Sequence, residues 1–222
     1  PDARRGYDAH TKRFYFGHRL HALLLSVDGL DLPLHVSVAP ANTPDVLQGI
    51  DALTRLKTAL DELLPHARID AGIFDAGYDA TDFHRLVARL GARPIIALND
   101  RNHTPRDPNG IERDPTGVPL CPGGAPMRYQ GYNRRRRKAV YTCPAKRPGR
   151  TGGKQCFKVW LDRCPRGALC EPDSKMGPLV YLPVDDDPRL NPPLPRDSAA
   201  FRALYSQRTG AERFFSVAKG RG

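Results

Sequence analysis

Residues 67–100 read ARIDAGIFDAGYDATDFHRLVARLGARPIIALND. A short apolar run leads into Asp75 and stops at Gly77, as a buried strand ending in a turn does. Thr81 opens a helix: Phe83, Leu86, Val87 and Leu90 recur at i, i+3, i+4 and i+7, and Gly91 closes it. RPIIALND then predicts a second short buried strand. Strand, helix and strand in that order imply parallel pairing with a right-handed crossover.

Upstream, FYFGHRLHALLLSVDG and LPLHVSVAP read as two strands joined at an Asp-Gly turn, an antiparallel hairpin. Leu32, Leu34, Val36 and Val38 alternate, which predicts one strongly buried face. Thr43-Pro44-Asp45 offers a hydroxyl N-cap, a proline at the first helical position and an acid in the first turn. Val46, Leu47, Ile50, Leu53, Leu60, Leu63 and Leu64 continue that helix, and Pro65 ends it. The natural solution is an α/β fold: a mixed sheet with helices on its faces, over residues 1–100.

Downstream the texture changes. Residues 101–197 hold 16 of the 22 prolines, all five cysteines, and 19 Lys+Arg against 10 Asp+Glu. They carry no long helical period and read as a basic, loop-rich insertion. Residues 198–222 return to helix, with Asp197 or Ser198 as the N-cap of a helix over 198–219.

The chain has 222 residues, 40% of them hydrophobic, enough for a real core. Its formal net charge is +11 and its pI near 9.7, a field that favours polyanions, nucleic acid first. No apolar run approaches the ~20 residues needed to cross a bilayer. The opening PDARRGYDAH has no signal-peptide character. It does not begin with Met, and the chain stops at KGRG in mid-pattern, so both ends read as cut.

Asp75 stands at the carboxyl end of a predicted central strand beside a glycine turn, where open α/β sheets place their ligands. Capping of the following turn is the equally common use of such an Asp. Asp79 and Asp82 suit capping better. Near the end, Tyr205, Arg208, Glu212 and Lys219 follow the spacing Tyr-x2-Arg-x3-Glu-x6-Lys. At about 100° per residue they fall within roughly 60° of arc on a helix. An isolated i,i+4 Arg–Glu pair is commonplace and worth only tenths of a kcal/mol. Paired with Asp75, however, Glu212 gives a second hard oxygen ligand for a divalent metal, next to groups that grip phosphate. No third carboxylate stands convincingly on an earlier strand: Asp28 belongs to the hairpin turn, and Asp2 and Asp8 precede the first clear strand.

With these residues in place, the chain resembles the bacterial insertion-sequence DDE transposases with an RNase H-like fold and a Tyr-Arg-Glu-Lys signature. The matching stretches are PDARRGYDAHTKRFYFGHRLH, LPLHVSVAPANTPD, FDAGYDATDFHRL and YSQRTGAERFFSVAK, in the right order. The resemblance implies an RNase H-like mixed sheet with flanking helices, interrupted by the insertion. It implies that Asp75 and Glu212 are catalytic and hold Mg²⁺ or Mn²⁺, and that Tyr205, Arg208 and Lys219 lie against DNA. It further implies transposon-end and target DNA as partners, a homodimer in the DNA complex, no membrane, and a nucleoid-associated protein of the bacterial cytoplasm. In relatives the first catalytic aspartate precedes the PDAR-like segment. The chain is therefore expected to lack that ligand and its strand, and to be inactive alone.

Two features of the insertion bear on partners. Arg134, Arg135, Arg136, Arg137 and Lys138 form a basic run flanked by Tyr129, Tyr132 and Tyr141, a pattern that suits a nucleic-acid backbone. Cys121, Cys143, Cys156, Cys164 and Cys170 lack the tight C-x2-C of a zinc ribbon. They read either as Zn²⁺ ligands stapling a loop-rich piece or as unpaired, partly buried thiols. The seven histidines show no metal-ligand spacing. Two readings compete with a transposase: a truncated, non-catalytic DNA-binding remnant, and a zinc-stapled DNA-binding module. A host nuclease on the same fold is a further enzyme alternative.

Overall fold

The computed structural model describes residues 2–8, 11–27, 29–99, 110–151, 154–167, 170–218 and 220. The chain divides into two compact units, Pro1–Ala97 with Arg202–Gly222, and Leu98–Phe201.

In the first unit, β1 (Arg4–Asp8), β2 (Arg13–Val27) and β3 (Leu30–Pro40) form an antiparallel sheet in that order. The hairpin register pairs Leu20 with Val38 and Ala22 with Val36, and shifts at a bulge beside Leu23 and Leu24. Gly29 takes φ +82° at the turn, a conformation glycine adopts without steric cost; Asp28 lies outside the described residues. The helix α1 (Asp45–Leu63) follows, then β4 (Ala71–Phe74), α2 (Thr81–Arg89) and β5 (Arg93–Ile96). The strands β4 and β5 pair in parallel from Ala71↔Arg93 to Phe74↔Ile96, as the strand–helix–strand pattern requires.

Three expectations change. First, the strands do not make one mixed sheet: among the described residues, β1–β3 and β4–β5 are separate hydrogen-bonded sheets. Second, Leu32, Leu34, Val36 and Val38 are 50%, 46%, 48% and 53% exposed. The core lies on the other face of the hairpin, where Ala39 and His21 are buried. Alternation identifies two faces; it does not say which one the helices cover. Third, the cap of α1 is Pro44 rather than Thr43, and no side chain caps it.

The first core is built from Leu53, Phe83, Val87, Ala92 and Ile96, with Leu23, Ile50, Phe74 and Tyr78 packed against it. Phe83 is wholly buried, edge-on to Phe74 with centroids 4.8 Å apart. The first helix reaches these rings through Gly49, where a Cβ would sit 2.7 Å from both Phe83 and Tyr78.

The closing segment is two helices, not one. Ser198 accepts a hydrogen bond from the Phe201 N–H (3.1 Å), the expected cap, and starts α3 (Ala199–Tyr205). A 3-10 turn over Ser206–Arg208 leads into α4 (Thr209–Ala218). Gly210 seats α4 on the tip of the hairpin: a Cβ there would stand 2.2 Å from an Asp31 oxygen and 2.7 Å from Ser26 Oγ. Arg213 donates to Asp31 at 2.8 Å. The Ser26 hydroxyl and then Arg213 hold the Asp31 carboxyl below its ordinary range.

The second unit contains more sheet than its composition suggests. Antiparallel β6 (Arg128–Asn133), β7 (Lys138–Thr142) and β10 (Leu179–Pro183) pair in the order β10-β7-β6. A separate hairpin joins β8 (Lys146–Thr151) to β9 (Lys154–Val159). Val118, Met127, Ala139, Tyr141 and Leu182 make its own core. Buried Arg113 donates to the carbonyls of Gly117 and Leu190 and to Asn191, tying distant loops together.

Candidate functional site

Asp75 is the first residue past β4 and caps the 3-10 turn Ala76–Tyr78. Its Oδ1 accepts the Gly77 N–H at 2.8 Å. A Cβ at Gly77 would lie 2.9 Å from Asp75 Oδ1 and 3.4 Å from Asp45 Oδ2. Two carboxylates therefore flank one glycine, and only the missing side chain leaves them room.

Asp45 went unassigned in the sequence because it fits the first turn of a helix so well. The usable signal was its neighbour: with Pro44 as the uncapped N-cap, the Asp45 carboxylate turns outward to another element. Arg19 of β2 donates to it at 2.6 Å. Burial works against the Arg19 charge, but hydrogen bonds to Tyr15 and Asp45 raise its pKa overall. Tyr78 lies beside this group, and burial, then Asp45, then Asp75 push its phenol well up.

The closing helices supply the rest. Arg208 pairs with Glu212 at 2.8 Å and lies 5.7 Å from the centroid of the Tyr205 ring. Burial raises the Tyr205 phenol; Arg208 opposes this, and the charges of Asp75 and Glu212 add to it. So Asp75, Arg208 and Glu212 each come near Tyr205, although a 3-10 turn replaces the uniform stripe expected of one helix. Lys219 lies outside the described residues.

Asp79 stands at the C-cap of the 3-10 turn Ala76–Tyr78, and it is fully buried, 3.0 Å from His84 Nε2. The cap of α2 is Ala80. Asp82 remains in the first turn of that helix, where it pairs with Arg85.

A family model for the transposase DDE domain matches residues 1–221. The chain belongs to that family. It is a DDE transposase of insertion-sequence type, and transposition is the function that membership supports. No curated protein and no solved structure matches it.

The basic run of the transposase splits in two. Arg134–Arg137 form the tip between β6 and β7, with Arg137 at φ +49° and Asn133 Oδ1 accepting the Arg136 N–H at 3.0 Å. Arg137 makes a two-pronged pair with Asp185, both contacts at 2.6 Å, which raises its pKa. Arg134, Arg135 and Arg136 are exposed, and no ion pair among the described residues engages them. Lys138 opens β7, half-buried. Two of the three flanking aromatics do not interleave with these cations. Tyr141 is buried in the core, and Tyr129 packs on it at 5.5 Å and donates to the Pro193 carbonyl. Of the three tyrosines, Tyr132 alone stays outside that packing.

Among the described residues, no three His, Cys, Asp or Glu side chains converge tightly enough to hold a metal ion by themselves. No helix among them is long and apolar enough to cross a membrane.

Proposed function

We propose that Asp75 and Glu212 are catalytic carboxylates of metal-dependent DNA cleavage and strand transfer, on an RNase H-like core of the Tyr-Arg-Glu-Lys class. The observation behind this is that Asp75, at the end of β4, and Glu212, paired with Arg208 beside the Tyr205 ring, lie far apart in the chain and both come near Tyr205. Their donor chemistry fits Mg²⁺ or Mn²⁺. Such ions take hard oxygen ligands and are often held by only one or two carboxylates, with water and substrate phosphate completing the shell. When bound, the ion supplies Lewis acidity and lowers the pKa of a coordinated water.

The chain's own residues do the rest. Arg208 presents a planar cation to the phosphate oxygens, matched to a two-pronged grip. Its salt bridge to Glu212 fixes where that cation points. Tyr205, with its phenol raised, keeps its proton and donates to the strand being cut. Lys219 adds a further cation to the same backbone. Arg134, Arg135 and Arg136 position DNA without reading its sequence. A homodimer would bring two such sites to paired transposon ends.

The test is incubation of the full-length protein with a plasmid carrying its element's ends. Nicking and strand transfer with Mg²⁺, and their loss in EDTA restored by Mg²⁺ or Mn²⁺, are the expected results. Cleavage that persists in EDTA sinks the proposal. Cleavage without joining would favour a nuclease instead.

The split in the basic run gives a second expectation. Changing Arg134, Arg135 and Arg136 together to Gln should reduce the slope of log affinity against log salt by about 2–3 on duplex DNA. Arg137→Gln, which breaks the Asp185 pair, should leave that slope near the parent value. Equal effects of the two variants would show that the tip does not meet phosphate.

A further inference from the structure

Four of the five cysteines, Cys121, Cys143, Cys164 and Cys170, line one cavity in the second unit. Its volume is about 10 Å³, room for a single water-sized sphere. None of the cysteines is in a disulfide. They come from four separate places in the chain.

Cys121 and Cys164 open two turns of the same design. Each is followed by proline, and each ends in a glycine whose N–H returns to the cysteine carbonyl. Gly124 donates to Cys121 at 2.8 Å with φ +87°, and Gly167 to Cys164 at 2.9 Å with φ +63°. The two turns press together: a Cβ on Gly123 would stand 2.7 Å from Pro165 Cγ, and Arg166 donates to the Pro122 carbonyl at 2.8 Å. Cys143 follows β7 and is covered by Gly177 (φ +67°), where a Cβ would lie 2.6 Å from Cys143 Cβ. The stretch after Cys170 is held by Lys146, whose ammonium donates to the carbonyls of Glu171, Pro172 and Ser174.

We propose that these four cysteines bind one structural Zn²⁺. Four cysteines lining one small cavity supply the ligand set that structural zinc takes in its closed tetrahedral sites. Binding turns four thiols into thiolates and releases four protons to solvent, leaving a centre of net charge −2. Lys146, Arg166 and Glu171 line the same cavity, two positive charges against one negative. No three of these side chains stand at ligand spacing, so binding has to draw the sulfurs inward. The gain to the protein is a staple where the sheets are small and the loops long. Cys156 is an internal control. It lies in β9, beside the Thr151 hydroxyl at 3.3 Å, and lines no part of this cavity.

The test is metal analysis of the purified protein, with zinc supplied during expression. About one zinc per chain is expected. Cys121→Ser, Cys143→Ser, Cys164→Ser or Cys170→Ser should lower the content at least tenfold, while Cys156→Ser should leave it unchanged. A lost staple can also unfold the unit, so cobalt exchange into the unmutated protein is the second measurement. Intense thiolate-to-cobalt charge-transfer absorption with a tetrahedral d–d band is expected there. Metal-free folded protein, iron in place of zinc, disulfides among the four, or equal zinc loss in Cys156→Ser each overturn the proposal. The outcome is independent of the site at Asp75 and Glu212, which carries no cysteine.

Discussion

Asp75→Asn or Glu212→Gln in the full-length transposase should lower metal-dependent DNA cleavage by about three orders of magnitude or more, on the order of 4 kcal/mol of transition-state stabilisation. Each change keeps shape and removes a negative charge, so affinity for transposon-end DNA should stay within a few-fold of the parent. The two should not add: in the double variant, loss close to that of either single change is expected of groups that hold one ion. Asp45→Asn is the informative comparison. Asp45 flanks the same glycine as Asp75, but its partner is Arg19. Its loss should act through the position of the Gly77 turn, with a smaller fall in rate. Near-normal cleavage by Asp75→Asn or Glu212→Gln would remove the site assignment, whatever the family.

Phe83→Ala should destabilise the first unit by about 3–5 kcal/mol, the usual cost of emptying an aromatic site in a packed core. Phe83 is fully buried between Phe74 and Tyr78, with ring centroids 4.8 and 5.2 Å away. Gly49 gives the surrounding helix little to collapse into the space. Phe83→Leu keeps most of the volume and should cost far less. Urea unfolding followed by a probe in the first unit separates this from the second unit, which has its own core. A loss under about 1 kcal/mol for the alanine variant would show that the rings do not carry the core. Phe74 and Tyr78 bracket Asp75 in the chain, so cleavage should fall along with stability.

The order of strands and helices in the first unit was legible because hydrophobic period and turn residues are local signals. The hairpin, the β4–α2–β5 unit and the Ser198 cap all follow from residues near one another in the chain. Which face of the hairpin is covered was not legible. Leu32, Leu34, Val36 and Val38 have the pattern of a buried face, and only the placement of the helices decides against them. The buried Asp79–His84 pair and the Arg19–Asp45 pair escaped for the same reason. Each carboxylate had an adequate local explanation, Asp79 as a cap and Asp45 as an acid in the first turn of a helix. In the second unit, prolines and turns obscured β6, β7 and β10, whose pairing depends on contacts across long loops. The basic run showed its charge in the sequence, but not that Asp185 takes up Arg137.

Glu212 lies in the same turn of α4 as Gly210 and Arg213, and both of those rest on the tip of the β2–β3 hairpin. The hairpin thus acts as a gauge for the distance between a glutamate on one element and an aspartate on another. A strand rises about 3.3 Å per residue, so two residues added to each arm would move the tip by roughly 6–7 Å. If Glu212 and Asp75 share an ion as proposed, the carboxylate it locates would shift by more than a metal shell can absorb. On that assignment, hairpin length constrains this transposase as strictly as the identity of the acids themselves.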